Sequence, residues 1–318
     1  MGLSQTTGAS LVGWSPIRVG WRAGEPVVDW CYTEGVPFTE PFFTETVETC
    51  FRNPFRLLFR RETDMEMVGR FVDDHPGIAP SGFIFHMSRC GSTLVAQMLT
   101  AMPEHLVLSE PGPVDTVLRA RAPERDRSTW LAWMLAALGQ ARAPGQWRLF
   151  VKFDAWSVLH LPLVRRTFPH VPWLFVYRDP LEVLASQMRH RGAHVIPGVV
   201  PELFGPRQLE CSPTEYAARV LGRICEAALA GKDDPLGRFV EYRQLPEFVV
   251  SGLAPTWSLS LDEERLREVA GRDAKNPVLP FEHDGPFPRA SATPEVRAAA
   301  DRWVLPLYEA LEEARVAQ

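Results

Sequence analysis

The chain lacks any apolar run long enough to cross a bilayer: the longest, Trp130 to Leu138 and Val171 to Tyr177, fall far short of the roughly 18 residues a spanning helix needs. No integral membrane segment is expected. Residues 1–10 contain neither a basic n-region nor an apolar h-region, so a secretory leader is not expected and a cytoplasmic location is. Cysteine is scarce, at 31, 50, 90, 211 and 225. An odd number without Cys-x-x-Cys or Cys/His ligand spacing excludes a disulfide framework and gives no metal site, leaving reduced thiols. There is no repeat and no low-complexity linker. Positive charge is in deficit, with 34 Lys plus Arg against 39 Asp plus Glu and a net charge of −5. Such a surface opposes polyanions as a whole, so nucleic acid is not an expected partner and any anionic ligand must be held by a local pocket.

What is present is ordinary for a folded chain: 318 residues, 46% hydrophobic and 23% charged, which predicts one globular domain with appendages. The Lys and Arg are weighted to Arg, and 29 prolines punctuate the sequence. Ile17 to Trp21 and Val27 to Tyr32 flank the turn signal Arg-Ala-Gly-Glu-Pro and predict a hairpin. Thr39, Glu40 and Pro41 open a helical stretch with Phe43, Val47, Cys50 and Phe51 on one face, stopped by Asn53-Pro54. Residues 1–78 thus read as an N-terminal cap on a main domain spanning 79–318.

From Phe83 the pattern changes. Phe83 to Met87, Leu106 to Leu108, Arg148 to Phe153, Trp173 to Tyr177 and Arg238 to Tyr242 are continuous apolar runs, as strands buried on both faces require. Helical spacing separates them, in Leu94, Val95, Met98, Leu99 and Met102 and again in Val183, Leu184, Gln187 and Met188. Alternating strands and helices predict an α/β fold, a doubly wound and mainly parallel sheet flanked by helices. Towards the end, Ser260-x-x-Glu263 reads as a capping box before a short helix ending near Gly271. Thr293-Pro294 starts a long amphipathic helix that Pro306 is expected to kink.

Two motifs carry chemistry. Phe-Ile-Phe-His-Met-Ser-Arg-Cys-Gly-Ser-Thr-Leu, residues 83–94, runs from an apolar strand through a small-residue turn into a helix. Such a turn aims backbone N–H groups and a helix dipole at one point, with Arg89, Ser92 and Thr93 converging on it: an anion cradle. A Walker loop would place Lys after the final Gly, and Gly91 is followed by Ser92. A Cys-x5-Arg phosphatase loop is excluded because position 96 is Ala. The second motif is Val-Tyr-Arg-Asp-Pro-Leu-Glu-Val-Leu-Ala-Ser. Arg178 at the strand end and Ser186 two helical turns on can reach one phosphate; a surface pair of Arg178 with Asp179 or Glu182 is the plainer reading.

Together these motifs resemble the sulfotransferases that use 3′-phosphoadenosine 5′-phosphosulfate, PAPS, with the P-loop-like fold and the bacterial and tyrosylprotein-sulfotransferase branch as the nearest match. The resemblance spans about 83 to 311, strongly at the two motifs only. It implies that Arg89, Cys90, Gly91, Ser92 and Thr93 hold the 5′-phosphosulfate and that Arg178 and Ser186 hold the 3′-phosphate. By position it makes Glu110, in Leu-Ser-Glu-Pro, the catalytic carboxylate and Lys152, in Phe-Val-Lys-Phe-Asp, a catalytic cation. Phe239-Val-Glu-Tyr-Arg-Gln-Leu resembles the family's Val-Arg-Tyr-Glu-Asp-Leu strand. The first-loop Lys, catalytic His and late Lys-Gly block of the cytosolic branch are absent, with Lys275 the candidate to reach phosphate from the tail and His86 the alternative base. Arg189, His190, Arg191 and His194 form a basic knot that reads as a solvated helix end.

The implied reaction moves a sulfuryl group in line from PAPS to the hydroxyl of a small-molecule acceptor and leaves 3′-phosphoadenosine 5′-phosphate, PAP. Glu110 takes the proton, while Arg89 and Lys152 carry the positive charge that Mg²⁺ supplies in phosphoryl transfer, so no metal is expected. Two other readings stand beside it: a P-loop kinase of a small molecule, marked by Mg²⁺-dependent ATP turnover, and a non-catalytic nucleotide-binding module, marked by PAP binding without turnover. The acceptor and the oligomeric state are not encoded in any motif. Trp14, Trp21, Trp30, Phe42, Phe43 and Phe51 supply either an acceptor wall or the cap's own core.

Overall fold

The computed structural model describes residues 11–200, 203–204, 210–276, 279–280 and 289–318. Its strands are β1 (Trp14–Arg22), β2 (Glu25–Tyr32), β3 (Arg61–Asp64), β4 (Pro80–His86), β5 (His105–Ser109), β6 (Arg148–Lys152), β7 (Trp173–Tyr177) and β8 (Gly237–Glu241). The helices are α1 (Phe43–Phe51), α2 (Pro54–Leu58), α3 (Met65–Asp74), α4 (Ser92–Thr100), α5 (Gly112–Leu118), α6 (Glu124–Leu138), α7 (Leu161–Thr167), α8 (Pro180–Arg189), α9 (Pro213–Leu229), α10 (Leu253–Trp257), α11 (Glu263–Ala270), α12 (Pro294–Trp303) and α13 (Leu305–Val316). β1, β2 and β3 form one sheet, and five strands form a parallel sheet in the order β5-β6-β4-β7-β8. The fold is α/β, as the continuous apolar runs predict: β5 and β7 are buried at every residue.

The chain divides into two compact units. One takes Met1–Gly82, Leu99–Lys152 and Leu163–Val171; the other takes Phe83–Met98, Phe153–Pro162 and Pro172–Gln318. In the first, β1 and β2 pair antiparallel from Trp14↔Tyr32 to Arg22↔Glu25. Ala23 and Gly24 form the turn, both at positive φ (51° and 89°), the backbone that matches the twist of a two-residue hairpin. β3, the polar Arg-Glu-Thr-Asp, has no strand signature of its own. It forms because β2 offers an edge, and Thr63 accepts a 2.9 Å hydrogen bond from Trp30 Nε1.

β1 packs on α5 and α6, so the N-terminal sheet shares a core with later segments of its unit. Arg142 ties it down, donating to Ser15 Oγ at 2.7 Å and Thr33 Oγ1 at 2.9 Å under the Phe38 ring. Burial lowers its pKa to about 10. The first helix begins at Phe43, without a side-chain cap, rather than at Thr39. Asn53-Pro54 does stop it, and also starts α2, with the Asn53 side chain accepting from Phe55 N.

In the second unit β7 pairs with β4 from Phe83↔Trp173 and with β8 from Trp173↔Gly237. α9 packs on α12 and α13, and α12 also on α8. Two expectations in the tail are corrected. The cap of α11 is Asp262, which accepts from Arg265 N, rather than Ser260: a carboxylate one residue before the helix needs no reach across a longer turn. The long C-terminal helix is broken rather than kinked, at Val304 (φ −121°, ψ −39°), because Pro306 sits in the first turn of α13, where a missing N–H costs nothing.

Candidate active site

The loop between β4 and α4 is bent by residues that dislike the bend. Ser88 (φ 75°) and Arg89 (φ 53°) are both left-handed, followed by Gly91 at φ 84°. Each non-glycine residue there costs on the order of 1 kcal/mol or more, so the surroundings must hold them. His86 Nδ1 accepts from Ser88 N at 3.0 Å, and its Nε2 donates to Phe153 O at 3.0 Å. Gln187, fully buried, donates from Nε2 to Ser88 Oγ at 3.0 Å and accepts from Gly192 N at 2.8 Å. The Cys90 thiol donates to Val176 O at 3.1 Å, so this residue can meet a ligand only through its backbone. Gly91 is needed twice over: besides its φ, a Cβ there would lie 2.9 Å from Leu245 and 3.0 Å from Tyr242.

With both ring nitrogens hydrogen-bonded to backbone groups, His86 braces the loop between Ser88 and Phe153. α4 starts at Ser92, and Leu94 N already bonds Gly91 O at 3.0 Å. Helix geometry leaves the Ser92 and Thr93 amides without an intrahelical acceptor, at the positive end of the dipole.

The second motif meets the first. Asp179 caps α8, accepting from Leu181 N at 2.9 Å and Glu182 N at 3.1 Å, and Pro180 sits at the first helical position. That explains Asp-Pro after the strand. Arg178, 9% exposed, lies over the Tyr242 ring at 4.1 Å and donates from Nε to Glu182 Oε2 at 2.6 Å. The plainer reading of Arg178 as a partner of Glu182 therefore holds in part, but in a buried setting. Arg89 Nε donates to Ser186 Oγ at 3.1 Å, across 97 residues. Tyr242, at the end of the Phe239–Leu245 stretch, touches both the loop and Arg178 and was not singled out by sequence; its only signal was the resemblance of that stretch.

Glu110 and Lys152 form a pair of their own in the first unit. Lys152 ends β6 and Glu110 directly follows β5, the neighbouring strands being registered through Ser109↔Lys152. Glu110, also left-handed (φ 54°), donates from its amide to Lys152 O at 2.7 Å. Lys152 Nζ forms an ion pair with Glu110 Oε1, and the ammonium lies 5.1 Å from the Phe42 ring. Lys152 is fully buried while the Glu110 side chain is 25% exposed. Of the five non-glycine residues with positive φ among those described, three are Ser88, Arg89 and Glu110; such strain gathers at functional sites.

Lys275 is exposed after α11, its amide bonded to Asp273 Oδ1 at 2.9 Å. The basic knot splits: Arg189, His190 and Arg191 are exposed, whereas His194 is buried against Trp156 and Gln187. No group of three His, Cys, Asp or Glu among the described residues is placed to hold a metal ion, and no described helix is long and apolar enough to cross a membrane.

Exposure separates function from stability at Arg89. Its side chain is exposed, and Arg89→Ala leaves the left-handed backbone no worse off, so stability should move by no more than about 0.5 kcal/mol. Turnover should fall by more than tenfold as one charge-assisted contact disappears. Thermal melting beside an activity assay checks this; a collapse of both would make Arg89 structural.

No family model and no curated protein sequence matches the chain. Several solved structures do. A sulfotransferase from Alicyclobacillus acidocaldarius is 13% identical, with TM-score 0.46 over 75% of this chain and 96% of its own. A sulfotransferase from Mycobacterium avium is 14% identical, with TM-score 0.49 over 79% and 81%. A retinol dehydratase in complex with androsterone and inactive cofactor PAP is 15% identical, with TM-score 0.30 over 60% and 64%.

Proposed function

We propose that the chain is a PAPS-dependent sulfotransferase acting on a hydroxyl of a small-molecule acceptor in the cytoplasm, with residues 1–78 as a cap on the catalytic region. The observation that carries the reading is the Arg89–Ser186 hydrogen bond. It joins the anion-binding loop to the Arg178 and Ser186 motif within one compact unit. A ligand with two separated anionic groups needs both elements.

In this scheme the Gly91, Ser92 and Thr93 amides and Arg89 hold the 5′-phosphosulfate, Arg178 and Ser186 hold the 3′-phosphate, and Lys275 is a further phosphate contact. The acceptor oxygen forms a bond to sulfur as the bond from sulfur to the bridging phosphate oxygen breaks. PAP leaves, and the acceptor proton passes to the Glu110 carboxylate. Lys152 and Arg89 stabilise the charge that grows on the bridging oxygen. The direct test is transfer of ³⁵S from labelled PAPS to a panel of phenols, alcohols and sugars, with and without chelator. Metal-independent, stoichiometric release of PAP with a labelled product is expected. Mg²⁺-dependent ATP turnover with no use of PAPS would replace this reading by the kinase, and PAP binding without turnover across the panel would replace it by the non-catalytic module.

A further inference from the structure

The segment from Phe51 to Arg61 places large apolar side chains in water. Phe55, Leu57, Leu58 and Phe59 are 59%, 42%, 75% and 58% exposed, on and just after the single-turn helix α2. The Phe55 and Phe59 rings lie against each other at 4.6 Å. One such residue on a surface means little; four within five positions form a patch that asks for a partner.

The charge around it names the partner's sign. Residues 51–61 contain Arg52, Arg56, Arg60 and Arg61 and no acid, in a chain of net charge −5. Arg56 donates to a backbone carbonyl, Glu34 O, at 3.1 Å. Arg60 stands 4.0 Å from Asp29, whose carboxylate already takes two bonds from Arg18. Arg61 lies over the Trp14 ring at 4.3 Å. Cations flanking exposed Phe and Leu suit an anionic, apolar layer: guanidinium to phosphate outside, rings and aliphatic chains into the headgroup boundary.

The shape argues against a protein groove. Groove binding by a helix needs anchors at i, i+3, i+4 and i+7 along several turns, and α2 has five residues, with its apolar side chains contiguous rather than striped. Insertion into a lipid interface needs bulk apolar area and no such periodicity.

We propose that Phe55, Leu57, Leu58 and Phe59 with Arg52, Arg56 and Arg60 form a docking patch for an anionic lipid surface, so that the protein works on a bilayer face without spanning it. The proposal is independent of the sulfotransferase reading. It is tested by co-sedimentation of the full chain with phosphatidylcholine vesicles and with mixed phosphatidylcholine and phosphatidylserine vesicles. Binding to the mixed vesicles only, weakened by salt, is expected. Arg52→Gln and Arg60→Gln should each weaken it about five-fold, and Phe55→Ser with Leu58→Ser should abolish it while the melting temperature holds. Equal binding to both vesicle types, or to neither, overturns the proposal. So does undiminished binding by the Phe55→Ser, Leu58→Ser variant, which would reduce it to surface charge. A concentration-dependent dimer in light scattering that Leu58→Ser dissolves would give the patch to a second copy instead.

Discussion

Glu110→Gln should lower kcat by roughly 10² to 10⁴ while PAP affinity, measured by calorimetry, stays within a few-fold. The amide keeps the size of the carboxylate and can still accept from Lys152 Nζ, but it cannot take the acceptor's proton. The ion pair adds a stability effect that must be separated from the chemistry. Lys152 is fully buried, and removing one member of a buried pair costs about 3–5 kcal/mol because the other charge is left uncompensated. With Glu110 a quarter exposed, the loss should fall below that range and appear as a lower melting temperature.

The double variant Glu110→Gln, Lys152→Met resolves the two effects. Removing both charges should recover most of the lost stability and none of the turnover. Should turnover return with stability, the pair is a structural bolt between β5 and β6 and the base lies elsewhere. His86, the alternative base, is then the next residue to mutate, with its hydrogen bonds to Ser88 and Phe153 making a melting measurement necessary beside the assay.

The second large effect concerns the cofactor. The Arg178 and Ser186 subsite predicts that PAP binds about ten- to a hundred-fold more tightly than AMP, the worth of one charge-assisted contact of roughly 1.5–3 kcal/mol. Arg178→Ala should erase that preference by weakening PAP and leaving AMP unchanged. The variant also strips Glu182, whose side chain is 13% exposed, of its partner and Tyr242 of the guanidinium over its ring. Glu182→Gln in the same background should therefore restore melting temperature without restoring the preference. Equal affinity of the unmodified protein for PAP and AMP would remove the 3′-phosphate subsite from the scheme.

Several features were legible because they depend on neighbours in the chain. The strands of the parallel sheet follow from unbroken apolar runs: Trp173 to Tyr177 coincides with β7 residue for residue, and the β1 and β2 hairpin follows from its Gly-containing turn. The strand-turn-helix at 83–94 could be read as an anion cradle because its chemistry is local, a small-residue turn feeding a helix N-terminus. Other features had no local signal. Arg-Glu-Thr-Asp is a strand only beside β2. The role of His86 depends on Phe153, 67 residues away, and Gln187, periodic with the apolar face of α8, turned out to be the buried polar brace of Ser88.

Composition and periodicity alone determined that this protein is an α/β chain with a parallel core and an N-terminal hairpin, since burial on both faces and turn geometry are properties of a few consecutive residues. Tertiary structure alone decided that Arg89 meets Ser186, that Tyr242 lies beneath Arg178 and beside Gly91, and that Glu110 pairs with Lys152. Those contacts close loops of 42 to 151 residues, and only the strand order of the sheet determines which ends become neighbours.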